Sequence, residues 1–501
     1  MPEHIGRRNP MVSPSLCDLE YIIAKHPCKR VPIKAELYAD TVTPITALRK
    51  LKNVSHHCFM FESVEHSKQW GRYTFLGFNP TLEITARNGE VQLKTDKKTQ
   101  TLTDNPAEVI RSVLAENQSI SLPDFPPFAG GLVGYFSYDY IKYTEPTLVL
   151  DAQDEEGFKD VDLMLFDKLI AFDNYKQKII LIANIKTDDL AQNFAQGEQA
   201  LKEMAHIVLN GEPFANKSLT IKGEFRQLFD ENSYCAMVQK AKDYIHEGDI
   251  FQVVLSNRLE ADIEGSLFDA YRILRTTNPS PYMFYFSSDD VEIAGASPET
   301  LVSLKNNTLH TFPLAGTKPR GKTEQEDREL EHMLLNDEKE VAEHNMLVDL
   351  GRNDIGKISK IGSVEVEKYM SIEKFSHVMH IGSTVKGILA DDKDALNAVD
   401  AILPAGTLSG APKLRACEII NELENNKRGI YGGAIGYIDF SGNLDTCIAI
   451  RLAFAKNGKV FIRSGAGIVA DSVPQNEYQE CINKAKAVTE ALKTAEGGID
   501  L

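Results

Sequence analysis

The feature that most constrains the fold of this chain is a supply of strand-length segments that do not alternate one for one with helices. Roughly the first 210 residues contain GRYTFLGFNPTLEITA, GEVQLKT, GGLVGYFSYDY and KQKIILIANI, with the apolar-polar alternation of half-buried strands. The second half mixes VEIAGA, AIGYIDF, CIAIRLAFA and VFIRSGAGIV with longer helical stretches. A parallel sheet needs a crossover helix after each strand, and that rhythm is missing. The expectation is an α+β fold with mainly antiparallel sheets.

A helix is expected over LAQNFAQGEQALKEMAHIVLN, ending at Gly211, and GEPFANKSLTIKGE after it has the composition of a linker. A boundary is therefore placed near residue 220, separating a region of residues 1–220 from one of residues 221–501. In LSGAPKLRACEIINELE, Ser409 is suited to cap a helix and Pro412 to its first turn, while Leu414, Cys417, Ile420 and Leu423 recur at helical spacing. DAQDEEGFKD reads as an acidic surface loop.

With 501 residues, 43% hydrophobic and 25% charged, the chain has a soluble globular composition and is too long for one small core. Two large, interlocked lobes are expected. A formal net charge of -17 argues against nucleic acid or an anionic membrane as partner, and any anionic ligand would need local cations. Seven cysteines with no Cys-x-x-Cys pair fit a reducing compartment. The polar start MPEHIGRRNP lacks a signal-peptide core, and runs such as IILIANI fall far short of the roughly 18 residues of a membrane helix, so a cytoplasmic location is expected.

Two short stretches concentrate carboxylates. DEKEVAEH, from Asp337, places Glu340 and Glu343 three apart, on one face if the stretch is helical. DSVPQNEYQECINKAK places Glu477, Glu480 and Lys484 on one helical face. Spacing alone is equally that of two solvated acidic faces. Paired oxygen ligands on two helices also suit a hard cation such as Mg²⁺. Just before the second stretch, SGAGIVADS offers Gly465 and Gly467, whose missing side chains would let backbone N–H groups approach an anion in a nest-like turn. YGGAIGY and PLAGTKPRG are two further small-residue loops in the same half.

From about residue 225 to 490, GDIFQVVLS, NPSPYMFYF, GASPE, DEKEVAEHNMLVDLGRNDIG, FSHVMHIGS, PAGTLSGAPK, RGIYGGAIGY, DTCIAIR and SGAGIVADS with EYQE follow one another in an order that resembles the chorismate-utilising enzymes. The first half resembles the N-terminal region of anthranilate synthase component I. The resemblance implies two mainly antiparallel sheets packed as a sandwich-like core with helices outside. It also implies Mg²⁺ as cofactor, with Glu343 and Glu480 as direct ligands and Glu340 and Glu477 in support. Chorismate contacts fall on Gly316, Thr317, Tyr431, Arg451, Lys484 and the backbone of Gly465, Ala466 and Gly467. Glu299, in GASPE, matches the general acid, and His380 matches a histidine linked to pyruvate elimination, with His377 three residues away.

Two positions bear on which chorismate chemistry is expected. Relatives that add water carry a lysine base in the FQVV motif, where this chain has Gln252. Glutamine takes no proton from water, whereas ammonia is already a nucleophile. Aminodeoxychorismate synthase carries a nucleophilic lysine in the loop matching PLAGT, where this chain has Ala315, with Lys318 out of register. The expected reaction is therefore amination at C2 to 2-amino-2-deoxyisochorismate, then elimination to anthranilate and pyruvate, the first step of tryptophan biosynthesis; the alternative is aminodeoxychorismate synthesis. FMFESVE with Ser63, together with Pro281, Tyr282 and Met283, resembles a tryptophan-inhibition pocket, although Met60 and Phe61 replace its usual leucines. No segment reads as a glutaminase, so a glutamine amidotransferase subunit, component II, is expected as ammonia-supplying partner in a heterotetramer or larger assembly.

Overall fold

A computed structural model describes residues 12–63, 71–103, 105–215, 217–374 and 378–499. Among the described residues the chain forms two sheets of 12 strands each, and its strand pairs are antiparallel. The first sheet runs from Arg30–Tyr38 through Lys178–Lys186, Lys168–Asp173, Tyr73–Phe78 and Cys58–Glu62. It continues without interruption into Tyr282–Ser287, Glu292–Ser297, Leu452–Lys456, Lys459–Ile468, Gln252–Glu264 and Thr220–Gln227. The second begins with Leu314–Pro319, Val378–Ile388, Thr308–Thr311, Thr300–Lys305, Leu444–Ile448 and Ala434–Asp439, then passes to Gly131–Phe136, Val161–Phe166, Leu82–Arg87, Glu90–Lys94 and Thr99–Thr103. Both sheets thus take strands from either side of residue 220. The joins are Phe61 opposite Phe284 and Gly134 opposite Gly436.

The sheets face each other across an aromatic layer that includes Phe59, Phe166, Phe284, Phe286, Phe454 and Phe461, all at most 2% exposed. Each such side chain contributes about 1.5–3 kcal/mol on burial. The alternate residues Cys58, Met60, Met283 and Tyr285 point the other way, into a layer beneath outer helices that include Pro44–Val54, Leu190–Asn210, Phe268–Thr277 and Pro474–Ala495. Helices Glu338–Gly356 and Ala395–Ile402 cover the outer face of the second sheet. The sandwich-like α+β architecture with helices outside is therefore as expected.

Several local expectations change. Gly131–Phe136 is buried along its whole length rather than on one face, because the helices seal the outer side. The helix Lys413–Glu424 starts from Pro412, not Ser409, whose hydroxyl donates instead to the Ala405 carbonyl. Leu414 on that helix is exposed. The helix ending at Gly211 is as read, but the linker-like stretch after it already contains the start of the edge strand Thr220–Gln227. The acidic loop is half buried, since distant lysines reach it: Lys427 and Lys142 pair with Asp160, and Lys459 pairs with Glu156. CIAIRLAFA is two strands, Leu444–Ile448 and Leu452–Lys456, divided at Arg451, whose φ of 53° breaks the extended run.

A buried ion cluster holds the floor of the second half. Glu424, at the end of its helix, accepts from the Ser256 N–H and hydroxyl and from Arg428. Arg463 lies 3.7 Å from the same carboxylate. Arg428 also donates to the Leu408 and Val254 carbonyls. Burial alone would raise the Glu424 carboxyl, but the two guanidiniums and the Ser256 N–H override it and leave it below its ordinary 4.5. A depressed carboxyl stabilises the fold above its ordinary pKa, and the contribution is lost as pH falls through the native value. Glu424→Gln strands two guanidiniums in a dry site and is expected to cost about 3–5 kcal/mol. Urea unfolding at neutral pH checks this, and a midpoint equal to that of the parent chain would refute it.

Candidate active-site cleft

Two helices bring the carboxylates together. Glu338–Gly356 starts at Asp337, whose side chain accepts from the Glu340 N–H at 3.3 Å, and its first turns present Glu340 and Glu343. Pro474–Ala495 has proline in its first turn and presents Glu477, Glu480 and Lys484. The faces meet. Burial raises the Glu343 carboxyl, and Glu340 and Glu480 raise it further. Burial also raises Glu340, helped by Asp337 and Glu480, and raises Glu477, helped by Glu480. Lys339, Lys318 and Lys484 offset part of this. Among the described residues these oxygens are not drawn within 4.8 Å of one another as a ligand set.

Cationic and backbone groups line the rest of the cleft. Lys484 pairs with Glu480 at 2.6 Å and donates to the Gly465 carbonyl at 3.0 Å. The turn at Arg451 delivers its guanidinium between Tyr431, Glu480 and His380, whose fields it feels or shapes. Burial lowers the pKa of that guanidinium, and among the described residues it donates to no side chain or carbonyl. A mostly enclosed, unpaired guanidinium is a ready carboxylate receptor, because it offers two parallel donors.

The expected nest at Gly465 to Gly467 is absent. These residues lie within the extended strand Lys459–Ile468, with Gly465 opposite Ser256 and Gly467 opposite Val254. Alternating chirality of backbone dihedrals is needed for a nest, and a paired strand has none. Their missing side chains serve neighbours instead. A Cβ on Gly465 would meet the Tyr431 hydroxyl at 3.0 Å, and one on Gly467 would meet Gln252 Nε2 at 2.8 Å. Gln252 is 3% exposed, and its Oε1 has no hydrogen-bond partner among the described residues.

The acid and base candidates come from different elements. Glu299 follows strand Glu292–Ser297 and accepts from the Thr407 hydroxyl at 3.0 Å. Burial pushes its carboxyl up to about 7, opposed by Thr407 and Lys484. His380, on strand Val378–Ile388, places Nδ1 2.6 Å from the Gly316 carbonyl and 3.2 Å from the Thr317 hydroxyl. A carbonyl only accepts, so Nδ1 carries the proton and Nε2 is the basic nitrogen. Burial, with Arg451 adding to it, keeps the ring neutral against the pull of Gly316. Gly316 itself has a φ of 66°, and a Cβ there would come within 3.1 Å of Glu340 Oε2. His377 lies outside the described residues.

Ser63, Pro281, Tyr282 and Met283 do not join this cleft. They line a separate cavity of about 890 Å³ between the sheets, with Phe61 and Tyr437. Of the two residues that depart from the leucine pair, Phe61 lines this cavity whereas Met60 packs under the outer helices. Tyr282 donates to Asp445 at 2.9 Å, and burial raises that carboxyl to about 7. Sequence reading passed over Thr407 and Asp445. Thr407 stands inside the quoted PAGTLSGAPK and Asp445 opens the quoted DTCIAIR, but only the fold brings them to Glu299 and Tyr282.

Comparison with known proteins places the chain in a family. The model of the chorismate binding enzyme family matches residues 56–490. Anthranilate synthase component 1 of Acetivibrio thermocellus is 44% identical over 474 residues, covering 93% of this chain and 96% of that protein. The Aquifex aeolicus protein of the same name is 42% identical over 473 residues, with 93% and 95% covered. The crystal structure of anthranilate synthase component I from Streptococcus pneumoniae superposes with a TM-score of 0.75 at 39% identity, covering 90% of this chain and 99% of that one. The menaquinone-specific isochorismate synthase of Escherichia coli shares the fold, with a TM-score of 0.69 at 18% identity over 95% of this chain and 98% of that one. With its antiparallel sandwich and a cleft that sets glutamates against an unpaired guanidinium, this chain belongs to the chorismate-binding enzyme family.

Proposed function

We propose that the chain converts chorismate and ammonia into anthranilate and pyruvate, the reaction named for its curated relatives. The observation that carries this reading is the meeting, in one cleft, of a carboxylate wall, the unpaired Arg451 and a glutamic acid raised to about 7. An oxygen-only donor set with raised carboxyls fits a hard divalent cation. Glu343 and Glu480 would hold Mg²⁺, supported by Glu340 and Glu477. When bound, Mg²⁺ supplies positive charge that offsets repulsion between this wall and a carboxylate of chorismate.

Arg451 and Lys484 then grip the anionic substrate, while Tyr431 and the Gly465–Gly467 strand wall its ring. Ammonia adds at C2, the ring double bonds shift, and the C4–oxygen bond breaks. Glu299 gives its proton to the departing hydroxyl, which leaves as water. The added ammonium loses one proton and Glu299 regains one, which leaves 2-amino-2-deoxyisochorismate. His380 Nε2 takes the C2 proton as the bond to the enolpyruvyl oxygen breaks; the enolate of pyruvate leaves, gains a proton at its methylene carbon to become pyruvate, and the ring becomes aromatic. Ala315 offers no amine to form a covalent adduct at C2, and Gln252 offers no base for water. A glutamine-hydrolysing partner subunit supplies the ammonia in the cytoplasm, and among the described residues no helix is long and apolar enough to cross a membrane. The separate cavity at Ser63 binds tryptophan, the end product of the pathway this step begins.

Incubation of the purified chain with chorismate, Mg²⁺ and ammonium chloride should yield fluorescent anthranilate and pyruvate. Aminodeoxychorismate or isochorismate as product would refute the reading. In the same assay Glu480→Gln should shift the Mg²⁺ titration to higher concentration and lower turnover, and an unchanged titration would remove Glu480 from the metal.

The acid form of Glu299 is the active one, so at a fixed concentration of free ammonia the rate should fall as pH rises through about 7. Glu299→Gln should lose roughly 10²–10⁴-fold in turnover. Thr407→Val removes a hydrogen bond that favours the carboxylate, so it should move the alkaline limb to higher pH. A limb that stays in place would exclude Glu299 as its origin. Ser63→Ala should relieve tryptophan inhibition and leave the uninhibited rate unchanged; persistent inhibition would assign tryptophan elsewhere.

A further inference from the structure

We infer that the chain carries a second metal site, for a first-row transition ion of the Zn²⁺ class, at His57, Glu83 and Asp289. One ligand atom from each of these residues lies within 4.8 Å of the others. None belongs to the cleft or to the cavity at Ser63. His57 immediately precedes strand Cys58–Glu62, and Asp289 lies in the turn between Tyr282–Ser287 and Glu292–Ser297. Pairing of Cys58 with Ser287 sets the two side by side. Glu83 comes from strand Leu82–Arg87 of the other sheet.

Several buried polar atoms here have no hydrogen-bond partner among the described residues. Glu83 is 5% exposed, and its Oε1 has no hydrogen-bond partner among the described residues. The same holds for Asp162 Oδ1, on a residue that is fully buried. His57 Nε2, also enclosed, lies 2.8 Å from Asp289 Oδ1 without a well-aligned hydrogen bond. Four carboxylates gather here, Glu83, Asp162, Asp289 and Asp290, against the three ammonium groups of Lys94, Lys159 and Lys456. Among the described residues, Glu83 Oε1 meets only the Lys159 ammonium, 3.7 Å away and beyond hydrogen-bond reach. Buried acceptors left without a hydrogen bond are what a cation satisfies.

The ligand chemistry selects the ion. One imidazole nitrogen with two carboxylates suits Zn²⁺ and its neighbours in the series, whereas Mg²⁺ prefers oxygen ligands and keeps its water. Three protein ligands leave a fourth position for water. Asp289 is 41% exposed at its side chain, which opens a path from solvent. Lys94, the cross-strand neighbour of Glu83, pairs with Asp289 and lies 3.7 Å from Glu83 Oε2, where it competes with an entering ion. Its side chain is 44% exposed and can swing into water. A bound ion would staple the two sheets together.

The test uses the full chain titrated with ZnCl₂ by calorimetry in excess Mg²⁺, which occupies the glutamate wall, followed by metal analysis after gel filtration. One Zn²⁺ per chain should remain. His57→Ala and Asp289→Asn should lose it, with folding checked by circular dichroism, whereas Glu480→Gln should keep it. Lys94→Met should bind Zn²⁺ roughly tenfold more tightly, since a competing charge is gone. Failure of the parent chain to retain Zn²⁺, an unchanged stoichiometry in His57→Ala, loss in Glu480→Gln, or no gain in Lys94→Met would each overturn the assignment.

Discussion

The carboxylate of Glu424 organises the floor on which the cleft is built. It draws the Ser256 backbone, Arg428 and Arg463 toward one point, and so ties helix Lys413–Glu424 to strands Gln252–Glu264 and Lys459–Ile468. Those strands carry Gln252, Gly465 and Gly467. Arg428 in turn lies 5.8 Å from the ring of Tyr431 and 4.5 Å from that of Tyr138. A charge in so dry a place survives only with every partner in position, so the cluster tolerates one arrangement of the surrounding backbone. Four groups of the cleft inherit their placement from it.

Above that floor the electrostatics run the opposite way. Four glutamates face one another with Lys484 and two outer lysines as partial counterweights, and burial makes their mutual repulsion harder to screen. Arg451 faces the same space with no partner among the described residues. A cation entering by the glutamates and an anion entering by Arg451 each lower the cost of the other, because their charges cancel in a low-dielectric cleft. Coupling of that kind is reciprocal. An acidic protein with a net charge of -17 can in this way accept an anion without a basic surface.

Much of this was legible in the sequence where the signal is local. Period-two runs marked the strands, and glutamate spacing marked the two acidic helix faces. The failures are just as physical. The strand Gly131–Phe136 is buried on both faces because helices from elsewhere cover it, which no single segment can announce. CIAIRLAFA read as one strand because the left-handed kink at Arg451 leaves no mark in residue type. Gly465 and Gly467 looked like a loop, yet their small size makes room for Tyr431 and Gln252, which approach from other elements. Thr407 reaches Glu299 across 108 positions of sequence, a distance that pattern reading does not span.

The two sheets are woven from both halves of the chain, and the hairpin Tyr282–Ser287 to Glu292–Ser297 joins two of their tasks. Its first strand begins at the cavity that holds Tyr282 and Met283, and its second ends two residues before Glu299. On the proposed function, the inhibitor wall and the proton donor are thus stations on one continuous ribbon. A sensor built this way is no separable module, unlike a bolted-on regulatory domain. On the same reading, desensitised descendants would arise one side chain at a time, inside a wall the catalyst also leans on.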